Sequence, residues 1–112
     1  MEAAITRKPY IVSSEFNESR MRIYEYSLYT FGYFQAERYK QTIRQALDTL
    51  PGFYFSHPEC RHLATKSRRY RNIILDAHLI IYRITETRIE VLDIIHSASS
   101  IRKIRGVRNI LV

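Results

Sequence analysis

The chain has 112 residues, 46% hydrophobic and 26% charged, with a single cysteine and a net charge of +7 from 18 Lys+Arg against 11 Asp+Glu. That length fits one domain with a core that needs no disulfide staples. The lone Cys60 excludes an internal disulfide or a CxxC metal site and points to a reducing, cytosolic setting. "MEAAITRKPY" has no apolar core of a signal peptide and no apolar run approaches the ~20 residues that cross a bilayer, while the basic balance favours a phosphate polyanion or an acidic protein as partner.

The first predicted element is a short strand in "PYIVSSEF", residues 9–16, leading into a helix with Ser13 or Ser14 as N-cap. Met21, Tyr24, Leu28 and Phe31 recur at helical spacing and define its apolar stripe, and Gly32 stands where a C′ glycine ends such a helix. The next segment repeats the pattern. Tyr39, Ile43, Ala46, Leu47 and Leu50 share one face, and the helix is expected to end at Pro51-Gly52. Helices over residues 14–31 and 33–50 make an αα-hairpin.

After the loop "PGFYFSHPECRHLATKS" the period changes from 3.6 to 2. Strands are predicted at residues 70–75, 79–84 and 89–95, with turns at 76–78 and 85–87, as an antiparallel meander. The strands are apolar on both faces, so helices should cover one of them. The tail "SIRKIRGVRNILV" alternates basic and apolar residues and suits either a last strand or a short helix. Without repeats, low-complexity tracts or linkers, residues 1–112 read as one α+β domain: an N-terminal strand and a helical hairpin packed on a mostly antiparallel sheet of three or four strands.

Along the strand at 79–84, Leu79, Ile81 and Arg83 share one face and Ile80, Tyr82 and Ile84 the other. A guanidinium in such a row must reach water, a phosphate or a carboxylate, and Asp93 or Glu90 could supply the last. "KSRRYR" places Lys66, Arg68, Arg69 and Arg71 around Tyr70, a cluster suited to phosphate contacts or to simple solvation. His96 follows the apolar run "IEVLDII", His78 lies in a turn, and His57 and His62 lie in the proline loop. None has metal-ligand spacing, and no glycine-rich phosphate loop or GxSxG nucleophile is present, so no metal or cofactor is expected. Arg, His and Tyr together could support metal-free RNA cleavage, with His96 as proton carrier and Arg83, Arg69 and Arg71 stabilising phosphate charge.

In this order, "FGYFQAERYKQTIRQALDTL", the arginine-rich lead-in, "HLIIYRI" and "IEVLDIIHSAS" resemble the RelE/ParE superfamily of toxins from bacterial type II toxin–antitoxin systems, from about Pro9 to Ile101. The resemblance leans to the ParE branch through Gly32, Ala36 and Tyr39, through His78, Ile80, Tyr82 and Arg83 as "H-x-I-x-Y-R", and through Ile94 and His96 as "I-x-H". The small residues of "HSASSIRK" after His96 depart from the late catalytic pattern of RelE-like nucleases. The resemblance implies a cytoplasmic toxin neutralised by a cognate ParD- or RelB-like antitoxin, with operator DNA bound through that antitoxin. It further implies ParE-like inhibition of DNA gyrase, with ribosome-dependent mRNA cleavage by a RelE-like enzyme, or an inactive basic module of the same fold, as the alternatives. Arg68, Arg69, Arg71, Tyr82, Arg83, His96, Arg102, Lys103 and Arg105 are the residues expected to meet target or antitoxin.

Overall fold

Strand β1 (Tyr10–Val12) leads into helices α1 (Ser14–Phe31) and α2 (Tyr33–Phe53), followed by strands β2 (Tyr70–Ile74), β3 (His78–Ile84) and β4 (Ile89–His96), then helix α3 (Ile101–Gly106) and a 3-10 turn at Val107–Asn109. These come from a computed structural model that describes residues 6–112; residues 1–5, which open the stretch read as lacking a signal peptide, lie outside the described residues. The strands form one sheet in the order β1-β4-β3-β2, with β1 parallel to β4 and the other pairs antiparallel. The α+β architecture and the mostly antiparallel four-stranded sheet match the sequence expectation, and the tail resolves as a helix and not a strand.

Ser13 is the N-cap of α1. Its Oγ accepts the Phe16 N–H at 2.9 Å and donates to the Leu92 carbonyl, while its own N–H bonds the Val91 carbonyl, so the cap also fixes α1 to β4. Gly32 separates the helices at φ +93°, a conformation that side-chain-bearing residues rarely adopt. Helix α2 runs one turn past the expected stop, through Pro51 and Gly52. The Pro51 carbonyl accepts the Lys8 N–H at 3.1 Å, and the following Tyr54 is buried, which together retain that turn.

The apolar stripe expected on α1 is corrected by the structure. Met21, Leu28 and Phe31 are 62%, 41% and 56% exposed, whereas the buried residues of α1 are Phe16, Ser19 and Ser27. A helix face made of small polar residues packs where apolar periodicity points the other way. The stripe of α2 holds: Ile43, Leu47 and Leu50 are buried and Tyr39 and Ala46 partly so.

Both faces of the sheet are covered. On one, Phe16, Leu47, Leu50 and Tyr54 pack with Ile80, Tyr82, Ile84 and Val91. The other face, to which the sequence assigned no helix, holds a second cluster of Cys60, Leu63, Tyr70, Ile81, Leu92, Ile95, Ile104 and Val107. A register shift on β4 between the pairs Ile81↔Asp93 and Tyr82↔Val91 marks a bulge, which leaves Leu92 as the extra residue. In consequence His78 stands opposite His96; the unshifted register of Ile84↔Ile89 would have set it against Ile95.

Candidate functional site

Arg83 is placed on β3 between Tyr70 of β2 and Glu90 of β4. Its Nε donates to Glu90 Oε1 at 2.8 Å, its Nη2 forms an ion pair with the same oxygen at 2.6 Å, and its guanidinium lies over the Tyr70 ring. Longer contacts of 3.4 Å reach the Arg108 and Ile110 carbonyls. Arg88 bonds the second oxygen of Glu90 at 2.8 Å and the Val112 carbonyl at 3.1 Å. Of the two partners the sequence allowed, Glu90 is the one used. Burial alone would raise the Glu90 pKa, but the hydrogen bonds and charges of Arg83 and Arg88 outweigh it and hold the carboxyl below its ordinary value. For Arg83, burial works against the charge, and Tyr70 and Glu90 more than compensate, so its pKa is raised. With the Arg83 side chain 14% exposed, the triad acts as a clamp that fastens the C-terminal segment to the sheet.

The other residues singled out on this side are scattered. Arg71 pairs with Tyr82 across the β2–β3 register while Tyr70 pairs with Arg83, so Arg71 and Arg83 leave opposite faces of the sheet. Arg71 donates to the carbonyls of Phe55, His57 and Arg68 at 3.0–3.1 Å, which pins the loop after α2. Tyr82 is fully buried beneath the hairpin, its hydroxyl donating to the Tyr54 carbonyl at 2.6 Å. Burial raises its pKa, and the surface role expected for it is closed. Arg69 is exposed over the Tyr70 ring, Arg68 lies 3.5 Å from Glu59 at a φ of 54°, and Arg102, Lys103 and Arg105 are exposed on α3. His96 is exposed at the far end of β4, opposite His78, which lies five residues and therefore about 17 Å along β3 from Arg83.

What the fold does assemble is a groove of about 1150 Å³ between the hairpin and the β2–β3–β4 end of the sheet. Ile23, Phe31, Ile74 and Ile94 give it apolar walls, and Arg22, Arg38 and Lys103 put cations around it. Tyr39 Oη and His78 Nδ1 are 2.6 Å apart, and the His78 and His96 rings, 5.6 Å apart, meet edge to face at one end. Burial, helped by the charge of His96, lowers the His78 pKa, and burial followed by Asp76 raises that of Tyr39. In the same groove Ser19 Oγ bonds Asp93 Oδ1 at 2.6 Å and accepts from Arg22 Nη2 at 3.1 Å. Burial of Asp93 raises its pKa against the pull of Ser19 and the Ile94 N–H. Ile74 is 64% exposed on the edge strand beside this opening.

This combination of apolar wall, cationic rim and edge strand suits an amphipathic, acidic peptide segment. Sequence reading placed His78 in a turn and Tyr39 in a core stripe and did not join them. The available signal was alternation from His78 through Ile80 to Tyr82, which puts His78 on the hairpin face. The bulge that brings His96 opposite left no such trace.

A family model described as "ParE toxin of type II toxin-antitoxin system, parDE" matches residues 10–101, most of the chain. The chain belongs to the ParE toxin family. A solved structure from P. aeruginosa, "Chromosomal ParDE TA system", superposes with a TM-score of 0.68 at 15% identity, covering 82% of this chain and 98% of that one, which establishes a shared fold. No curated protein sequence matches this ParE-family chain. Among the described residues no helix is long and apolar enough to cross a membrane, and no group of three or more His, Cys, Asp or Glu is placed to hold a metal ion.

Proposed function

We propose that this ParE-family chain is the toxin of a cytoplasmic toxin–antitoxin pair, silenced by a ParD-like antitoxin and active against DNA gyrase. Family membership over residues 10–101 supports the antitoxin. The groove supports where the antitoxin lies: apolar side chains anchor on Ile23, Phe31, Ile74 and Ile94, while carboxylates meet Arg22, Arg38 and Lys103. A partly disordered acidic segment that folds on binding suits such a site. Apolar anchors supply most of the affinity, and charge sets association rate and specificity. Operator DNA is then engaged through the antitoxin.

The observation that carries gyrase inhibition over the RelE-like nuclease reading is the dispersal of the set expected for RNA cleavage, His96 with Arg83, Arg69 and Arg71. RNA cleavage needs a proton carrier within hydrogen-bond reach of the 2′-hydroxyl and cations at the same phosphate. Here His96 is about 17 Å along the sheet from Arg83, Arg83 is clamped to Glu90, and Arg71 is turned to the opposite face. The surface left for a target is the exposed set Arg68, Arg69, Arg102 and Arg105.

Induced expression tests the reading. Gyrase supercoiling should be inhibited and gyrase-linked DNA breaks should accumulate, with bulk mRNA intact and His96→Ala still toxic. Ribosome-dependent transcript cleavage without gyrase–DNA adducts overturns the target, and harmless expression supports the inactive module instead. Co-purification with the neighbouring operon partner tests the antitoxin, and Arg38→Glu with Lys103→Glu should weaken that complex by at least about tenfold.

A further inference from the structure

Half of the Lys and Arg of the chain, nine of eighteen, fall in residues 60–75 and 97–112, which contain no Asp or Glu; the hairpin, residues 14–53, has five of each sign. The fold brings these two acid-free segments together. Cys60, Leu63 and Tyr70 of the first and Ile104 and Val107 of the second share one buried cluster on the sheet face away from the hairpin. Glu59 lies near Arg68 and Glu90 is engaged between Arg83 and Arg88, while Asp93 feels the charge of Lys103. Arg61, Lys66, Arg69, Arg102, Arg105 and Arg108 are exposed, and none pairs with a carboxylate among the described residues.

Uncompensated cations gathered on one face form the electrostatic footprint of a polyanion site. Its remaining features narrow the polyanion. Binding single strands needs exposed aromatic platforms for base stacking. The one Phe or Tyr in the two segments, Tyr70, is buried with Arg69 and Arg83 over its ring. Reading base edges needs an element that enters a groove, whereas α3 is six residues long and packs Ile104 onto the sheet. Contact with phosphates is what remains.

We infer that the face built by residues 60–75 and 97–112 binds double-stranded DNA through its phosphate backbone, without sequence preference, directly and not by way of the antitoxin. This holds whatever the protein target is. Under the gyrase reading it keeps the toxin on the duplex that the enzyme handles.

The test is fluorescence anisotropy of a short labelled duplex of arbitrary sequence, titrated with the purified full-length chain. Binding should lie in the ~1–100 µM range at physiological salt, with a log–log salt slope of about −4 to −5 between ~50 and ~200 mM, as for four to six phosphate contacts. Arg102→Glu with Arg105→Glu, and separately Arg61→Glu with Lys66→Glu, should each weaken binding by at least about tenfold, with circular dichroism unchanged. Arg20→Glu with Arg44→Glu on the hairpin alters net charge equally and should leave affinity within about threefold. Equal loss in the hairpin variant, tighter binding of single-stranded DNA or double-stranded RNA than of duplex DNA, or no binding at the lowest salt overturns the inference. Failure here with gyrase inhibition intact removes this inference alone. DNA binding without gyrase inhibition removes the proposed target alone.

Discussion

The sheet is covered on its two faces by different means. One face carries two long helices of balanced charge whose large apolar side chains fill a continuous core. The other carries a loop, a six-residue helix and a 3-10 turn, with nine cations and no acid in the segments that build it. A helix of six residues has no stability of its own, because nucleation outweighs the few bonds it gains. It stays folded because Ile104 and Val107 are buried and because Arg83 and Arg88 hold the carbonyls of the segment that follows. Fold stability should therefore reside mainly on the hairpin side, and the tail side should be the more separable.

The largest break in this comparison comes from Leu47→Asp. Leu47 is buried under the hairpin, and an unpaired carboxylate there should cost about 4–5 kcal/mol, comparable to the total stability of a small domain. Chemical denaturation should show a protein unfolded or nearly so; a wild-type midpoint would remove Leu47 from the core. Glu90→Ala comes next, at about 3 kcal/mol, because it strands the mostly buried Arg83 guanidinium, 14% exposed. Its signature differs: hydrogen exchange should quicken first over residues 101–112, ahead of β3 and α2. Uniform loss of protection would mean that the two coverings unfold as one unit. Ser13→Ala should cost about 1–2 kcal/mol, since it removes the α1 cap and the bond to Leu92 together, and a thermal melt reads it.

How legible these parts are from sequence follows the same division. The hairpin could be bounded because Ser13 and Gly32 satisfy strict local requirements, a side-chain cap and a positive φ. The α2 stripe was readable because its inner face is apolar throughout. The buried face of α1 was not, because Ser19 and Ser27 are buried by a bond to Asp93 and by their small size, neither of which hydropathy registers. With the turn set at 76–78, strand alternation puts Arg71 opposite Arg83; the observed pairing of Ile74 with Leu79 shifts the register by one residue and sends the two to opposite faces. The Leu92 bulge, and with it the meeting of His78 and His96, depends on how β4 meets its neighbours and left no local signal. The helical tail was ambiguous because a basic/apolar pattern suits either a short helix or an edge strand.

A pH titration sharpens the comparison further. His78, at the groove, has its pKa lowered by burial and by His96, so the folded state favours the neutral ring. For such a group, stability is fully present above the unfolded value near 6.5 and is lost as pH falls toward the folded value. His57, lowered by burial, acts in the same direction, while Asp93, raised by burial, takes up a proton more readily when folded and works the opposite way at lower pH. The melting temperature should decline as pH falls below about 6.5, and His78→Gln should flatten that decline. A profile unchanged by the substitution would show that His78 titrates alike in both states. Glu90, held below its ordinary value, adds its own loss further into acid as it protonates.

The smallest effect is expected from Met21→Gln, and it bears on the outer side of the hairpin. Met21 was the first residue of the apolar stripe that periodicity assigned to the α1 core, yet it is 62% exposed. If the buried face of α1 is the one bearing Phe16, Ser19 and Ser27, Met21 contributes little to folding, and the substitution should shift stability by less than about 0.5 kcal/mol, as surface changes do. Ile23→Gln, two positions away and packed partly buried against the core, provides the matched contrast at about 1–2 kcal/mol. Chemical denaturation of the two variants side by side decides the assignment. Equal losses would return Met21 to the interior and rotate α1 about its axis, and with it the groove that α1 walls. A near-silent Met21 beside a destabilised Ile23 leaves the outer surface of α1, with Leu28 and Tyr29 exposed along it, free of any part in holding the sheet.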